Sequence, residues 1–202
     1  MAYHGRIWDV VKDEFPYGQA TLTREYVAHP GAVAILALDE AERVLLINQY
    51  RHPVRSMMWE IPAGLLDVDG ESPLAAARRE LAEETDLVAR DWAVLGEYYT
   101  TPGSSSEAIR IYLARGIAAA ERPFEREAEE ADIRLRWVPL EAAVTAVLGR
   151  RIQNPSAVVG LLAAYAARSR GWQSLAEPDA PWERHPRWHD GRLTSRDAPA
   201  RP

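Results

Sequence analysis

The chain has 202 residues, no cysteine, and a formal charge of −6 from 24 basic and 30 acidic side chains. That length suits one well-cored domain with extensions, and the missing thiols exclude cysteine nucleophiles, Cys-ligated metals and disulfides. The single lysine, Lys12 in Val-Lys-Asp-Glu, excludes a P-loop, and the acidic balance argues against nucleic acid or an anionic membrane as partner.

In chain order, the N-terminus lacks a basic region followed by an apolar one, so no secretory leader is expected. Ala20 to Ala28 alternates partially and predicts a strand. Ala32 to Leu38 and Val44 to Gln49 are short apolar runs around an Asp39–Glu42 turn and predict a hairpin of buried strands. Residues 1–30 form an N-terminal antiparallel strand region and 31–170 the main domain. Ser72 followed by Pro73 predicts a helix from Pro73 to about Thr85. Strands are expected at Trp92–Thr100, Ala108–Ala114 and Ile133–Val138. Further helices are expected after Pro139 and from Asn154-Pro155 to about Ser169. The longest apolar stretch, Ala157 to Ala167, is too short for a membrane span of about 20 residues, so a cytoplasmic protein is expected. Residues 171–202 hold five of the 14 prolines and three of the seven tryptophans. Trp172, Trp182 and Trp188 favour a tail draped on the domain.

The acidic charge is local. Gly64 to Leu87 has seven acidic and two basic residues, Glu121 to Asp132 six and two, and the remainder is net basic by three. On the first helix Glu80, Glu83 and Glu84 stand at i, i+3 and i+4 and share a face, while Leu74, Ala77 and Leu81 form a separate apolar stripe. Clustered carboxylates repel unless a cation joins them, and hard oxygen donors suit Mg²⁺ or Mn²⁺. Alone, this helix could equally be a solvated face screened by Arg78 and Arg79. The second acidic segment could be a solvated loop.

Gly64, Glu71, Arg79, Glu80, Leu81, Glu83, Glu84 and Leu87 resemble the Nudix box, Gly-x5-Glu-x7-Arg-Glu-U-x-Glu-Glu-x-Gly-U with U aliphatic. Six residues rather than five separate Gly64 from Glu71, and Asp86 replaces a glycine expected in a left-handed helix C-cap. Gln49-Tyr50-Arg51-His52-Pro53, Trp59 to Gly64, and His29 to Val33 resemble the family's ADP-ribose pyrophosphatase branch. So do Pro102, fifteen residues past Leu87, the Gly103-to-Glu107 loop, and the segment Glu127–Ile133.

The resemblance implies an α/β fold of α+β type, with a mixed β-sheet sandwiched between helices. It also implies Mg²⁺-dependent hydrolysis of the ADP-ribose diphosphate, with Mn²⁺ as substitute and two or three ions per site. Glu80 and Glu84 would be the main metal ligands, joined by Glu83 and the Ala63 carbonyl. Arg79 would orient the carboxylates, Glu71 would brace the loop through an ion pair, and Gly64 and Pro102 would be structural. Glu129, or its neighbour Glu130, would be the base. Arg51 and Glu107 would position substrate, Glu60 would support the site or the ribose, and Arg24 could reach across a dimer interface. A homodimer with exchanged N-terminal strands is implied as well. Trp59 is expected in the core rather than as a base-stacking platform. Two alternatives stand: another nucleoside diphosphate sugar or an oxidised nucleotide as substrate, and a non-catalytic ligand-sensing regulator.

Overall fold

In the computed structural model, which describes residues 1–124 and 133–183, the chain divides into two units. One comprises Met1–Gly31, Tyr99–Ala108 and the chain from Pro181; the other comprises Ala32–Tyr98 and Ile109–Ala180.

The first unit is built on an antiparallel hairpin of β1 (Asp9–Tyr17) and β2 (Ala20–Ala28), in register from Asp9↔Ala28 to Tyr17↔Ala20. Gly18, at φ +65, opens the two-residue turn that such a register requires. The alternation in β2 predicts its strand. β1 has no such signal, because no residue in it is fully buried and neither face selects apolar side chains. The Ser104–Ser106 loop docks on the end of β2: Val27 N–H donates to Ser104 O at 2.9 Å, and Ser106 N–H to Val27 O at 3.0 Å.

The second unit contains two sheets and three helices. β3 (Ala32–Ala37), β6 (Ala63–Leu65), β7 (Leu87–Tyr99) and β8 (Ala108–Ala119) form one sheet in the order β6-β3-β8-β7. β4 (Arg43–Arg51), β5 (Ser56–Glu60) and β9 (Arg134–Pro139) form the other, in the order β5-β4-β9. The expected β3–β4 hairpin is absent. The two strands share a single bridge, Leu38↔Val44, and then diverge into different sheets. β3 instead runs parallel to β8 and antiparallel to β6. All six residues of β3 are buried, so its sequence is apolar on both faces and carries no period that would choose a partner.

Helix α1 (Pro73–Thr85) begins where its cap dictates, with the Ser72 hydroxyl accepting from Ala75 N–H at 3.2 Å. It ends at Asp86 in the left-handed conformation, φ +57, the position where the box pattern carries glycine. Asp86 N–H caps Ala82 O at 2.9 Å. Ala76, Ala77 and Leu81 are sealed in the interior. α2 (Leu140–Leu148) and α3 (Pro155–Ser169) match the expected spans, and Asn154 Oδ1 caps α3 by accepting from Ala157 N–H at 2.9 Å. α3 lies close on the core: a Cβ on Gly160 would stand 3.1 Å from Ile61 Cδ1.

Of the expected tail, residues 171–180 pack on this unit. Ala176 exchanges backbone hydrogen bonds of 2.9 and 3.1 Å with Val94, and the Arg115 guanidinium lies 4.0 Å from the Trp172 ring centroid. Buried Arg110 donates to Ala180 O at 2.7 Å. Trp182 is buried and Trp188 lies outside the described residues. Among the described residues no helix is long and apolar enough to cross a membrane.

Candidate active site

Helix α1 delivers the acidic residues, and a single arginine organises them. Arg79 grips Glu71 with two hydrogen bonds, Nε to Oε1 at 3.0 Å and Nη2 to Oε2 at 2.9 Å. Its Nη1 donates to Glu80 Oε1 at 2.6 Å and to Glu83 Oε2 at 3.0 Å. These hydrogen bonds, the bidentate pair with Glu71 foremost, raise the Arg79 pKa further above its ordinary value and hold the Glu71 carboxyl below the usual carboxylate range. Glu84, only 4% exposed, turns inward and accepts from Ala63 N–H at 3.0 Å. That bond ties the helix to β6.

Gly64 explains itself in space. A Cβ there would fall 1.9 Å from Glu80 Cδ and 2.0 Å from its Oε1. The carboxylate of Glu80 occupies the place where any larger residue would put its side chain.

Opposite the helix, β4 contributes Arg51. Its guanidinium grips Glu60 with two hydrogen bonds, Nε to Oε1 at 2.9 Å and Nη2 to Oε2 at 2.7 Å. Glu60 is 1% exposed and Arg51 is 41% exposed. The pair thus neutralises a buried acid while keeping the cation at the surface. Together Arg51, Ala63, Gly64, Arg79 and the α1 acids border a cavity of about 310 Å³, which Gln49, Leu65 and Asp67 also line.

The site's charge is unbalanced. Glu71, Glu80 and Glu83 surround one guanidinium and Glu84 lies on the same helix, so these five groups carry a formal −3. Among the described residues no three His, Asp or Glu side chains already stand in position to hold a metal ion, because Arg79 takes up Glu80 and Glu83. The donors are nevertheless all oxygen, several are sheltered, and their excess negative charge fits a hard divalent cation.

The sequence-predicted residues therefore fall in three groups. Arg51, Glu60, Ala63, Gly64, Glu71, Arg79, Glu80, Glu83 and Glu84 converge. Arg24, Pro102 and Glu107 belong to the first unit. Arg24 is exposed on β2, with Nη1 on Thr23 O at 2.8 Å. Pro102 lies in the turn that Ser104 and Ser105 close by donating to Thr101 O. Glu107 accepts from Thr100 Oγ1 at 2.5 Å and lies 3.4 Å from His29 Nε2. Burial holds the pKa of His29 below its ordinary value, against the opposing pull of Glu107. Glu129 and Glu130 lie outside the described residues. Trp59 packs against the core. Gln49 belongs to the Gln49-to-Pro53 stretch that resembles the branch but carries no expected role, although its position two residues before Arg51 places both on one face of a strand.

The box-bearing helix, a glycine that admits its carboxylate and a facing arginine thus border one cavity lined by oxygen donors. The family model of the NUDIX domain matches residues 28–157, and the chain belongs to the Nudix family of hydrolases. It is 44% identical over 165 residues to the ADP-ribose pyrophosphatase of Mycobacterium tuberculosis, covering 82% of this chain and 79% of that protein. It is 36% identical over 154 residues to the ADP-ribose pyrophosphatase of Bacillus subtilis, covering 75% and 82%. The crystal structure of an ADP compounds hydrolase matches with a TM-score of 0.66 at 20% identity over 83% of this chain and 90% of that one, a likeness of fold. Nudix hydrolases generally need a divalent metal such as Mg²⁺.

Proposed function

We propose that this chain hydrolyses the diphosphate of ADP-ribose with Mg²⁺, giving AMP and ribose 5-phosphate. The observation that carries the reading is the fit of Glu80 beneath Gly64 and of Glu84 against Ala63, beside the Arg51 cavity. The two named relatives supply the substrate.

Glu80 and Glu84 hold the metal, with Glu83 and the Ala63 carbonyl as further donors. Two or three Mg²⁺ (or Mn²⁺) ions held by these residues would supply positive charge for the diphosphate and Lewis acidity for an attacking water. Arg79 keeps the acids in register and Glu71 fixes Arg79. Arg51, steadied by Glu60, presents a guanidinium suited to a phosphate. Glu129 or Glu130 takes the proton of the attacking water. The water oxygen bonds to one phosphorus as the bridging P–O bond breaks, so each product leaves with a terminal phosphate. Glu107 and Arg24 contact substrate, and Pro102 shapes the loop that carries Glu107. We place the enzyme in the cytoplasm as a homodimer exchanging N-terminal strands. Exposed Tyr3, Ile7, Trp8 and Tyr17 in the hairpin unit support the dimer.

The test is a panel of ADP-ribose, NADH, GDP-mannose and 8-oxo-dGTP with Mg²⁺, read by phosphate release after phosphatase coupling. ADP-ribose should give the highest kcat/KM, and Glu84→Gln should lose about 10³-fold or more of it. Glu129→Gln should lower kcat with little change in KM; if only Glu130→Gln does so, the base is Glu130. Near-wild-type turnover by Glu84→Gln, or a preference for GDP-mannose or 8-oxo-dGTP, would overturn the reading.

A further inference from the structure

The cavity beside α1 contains a polar group that no described residue satisfies. Gln49 is 7% exposed, and its Oε1 is sealed from solvent with no donor in reach among the described residues. The other buried acceptors of this wall are served: Glu60 by Arg51, and Glu84 by Ala63 N–H. Gln49 stands two residues from Arg51 on β4, so the two side chains leave the same face of the strand, and both line the cavity. The pairing of β4 with β9 stops at Asn48↔Arg134, so at Gln49 only β5 flanks β4 among the described residues. One position further back on the same face, Ile47 is apolar and fully enclosed. An amide carbonyl in such a place forfeits the hydrogen bonds that water gives it in the unfolded chain, a loss that a methionine or leucine of similar size would avoid.

We propose that Gln49 is a ligand-positioning residue of this cavity, whose amide carbonyl accepts a hydrogen bond from an O–H group that arrives with the substrate. The proposal rests on the reading of the cavity as a nucleoside diphosphate site. The terminal amide torsion of glutamine is soft, so a half-turn exchanges the two ends of the amide at little cost. A phosphate oxygen has no proton to give at neutral pH. The donor is therefore a sugar hydroxyl of the substrate or a water carried by its divalent cation. A carboxylate at this position would accept the same bond but would add negative charge beside a diphosphate; the neutral amide avoids that repulsion.

The experiment compares wild type with Gln49→Met and Gln49→Leu. Without ligand, both variants should melt at or slightly above the wild-type temperature, since each removes an unpaired buried carbonyl. Their KM for ADP-ribose should rise about tenfold, the worth of one hydrogen bond of this kind. Calorimetry with Mn²⁺ alone, and with a non-hydrolysable α,β-methylene analogue of ADP-ribose, separates the two donors. Weaker Mn²⁺ binding identifies a metal-bound water, whereas weaker analogue binding at unchanged Mn²⁺ affinity identifies the sugar hydroxyl. Wild-type affinity for both probes, or a melting temperature more than about 5 °C lower in both variants, overturns the proposal and makes the amide structural. A wild-type protein that binds neither probe would instead sink the diphosphate reading itself.

Discussion

Two arginines of the second unit each gather acidic side chains, Arg79 from its own stretch of chain and Arg168 from distant ones, and only the first stands in the proposed site. Arg79 joins Glu71, Glu80 and Glu83; Arg168 joins Glu42 at 3.1 Å and Glu141 at closer range. Acidic neighbours raise the pKa of both guanidinium groups above the ordinary arginine value. The partners differ. Glu71 and Glu80 keep 14% and 13% of their side-chain surface exposed, while Glu42 and Glu141 keep 56% and 65%. The first cluster sets three acids against one arginine, the second two, and although Glu42 also lines a cavity, the acids of the second stay mostly in solvent. An ion-pair motif thus becomes chemistry only where burial concentrates charge that the arginine cannot cancel.

Gly64 gives the sharpest way to break the contrast, because it serves the first cluster alone. In Gly64→Ala the new methyl meets the flexible end of Glu80 rather than backbone, so Glu80 should swing aside while the fold survives. We expect kcat/KM to fall about 10²-fold, as an ångström-scale misplacement of a metal ligand entails, with a melting temperature close to wild type. An unchanged rate would show that Glu80 need not lie beneath Gly64.

Glu71→Gln probes the same cluster through stability. At pH 7 it should cost about 1–2 kcal/mol, since a partly exposed bidentate pair with Arg79 is lost. The sign with pH follows from the lowered carboxyl pKa of Glu71. The folded state binds that proton less readily than the unfolded chain does. The contribution is therefore full above the unfolded value of about 4.3 and disappears as pH falls through the lower folded value. Urea unfolding of wild type and variant from pH 7 to pH 3 should show the two stabilities converging. A gap that persists at pH 3 would assign the effect to packing instead of charge.

Much of this is legible in the sequence alone, and the reason is locality. Ser72, Pro73 and Asn154 fix where α1 and α3 begin, and the helical spacing of Glu80, Glu83 and Glu84 fixes their common face. Asp86 takes up its left-handed cap because the helix must end there. Strand partnership was not legible. β3 and β4 look like one hairpin because both are apolar on both faces, and only the packing of the whole unit assigns them to different sheets. The short strands β5 and β6 have too few residues to show a period, yet they carry Glu60 and Ala63 into the site. The box pattern places three acids on α1 and the arginine that orients them, but not the buried, unserved carbonyl of Gln49. That carbonyl's surroundings depend on strands brought together by the whole unit.

The smallest expected effect completes the comparison. Arg168→Ala removes both bonds to Glu42 and Glu141, yet each acid is mostly in water and regains hydration when the arginine leaves. The guanidinium also stacks over Tyr165 at 5.2 Å from the ring centroid, which adds a modest exposed cation–π contact. Together these should stabilise the fold by under about 1 kcal/mol, and by less at high ionic strength, where exposed pairs are screened. Parallel urea titrations at about 0.05 M and 0.5 M NaCl would measure that decline. Activity on ADP-ribose should stay at the wild-type level at both. A loss of turnover in Arg168→Ala comparable to that of Gly64→Ala would mean that this surface cluster communicates with the cavity, and that exposure alone does not separate the two arginines.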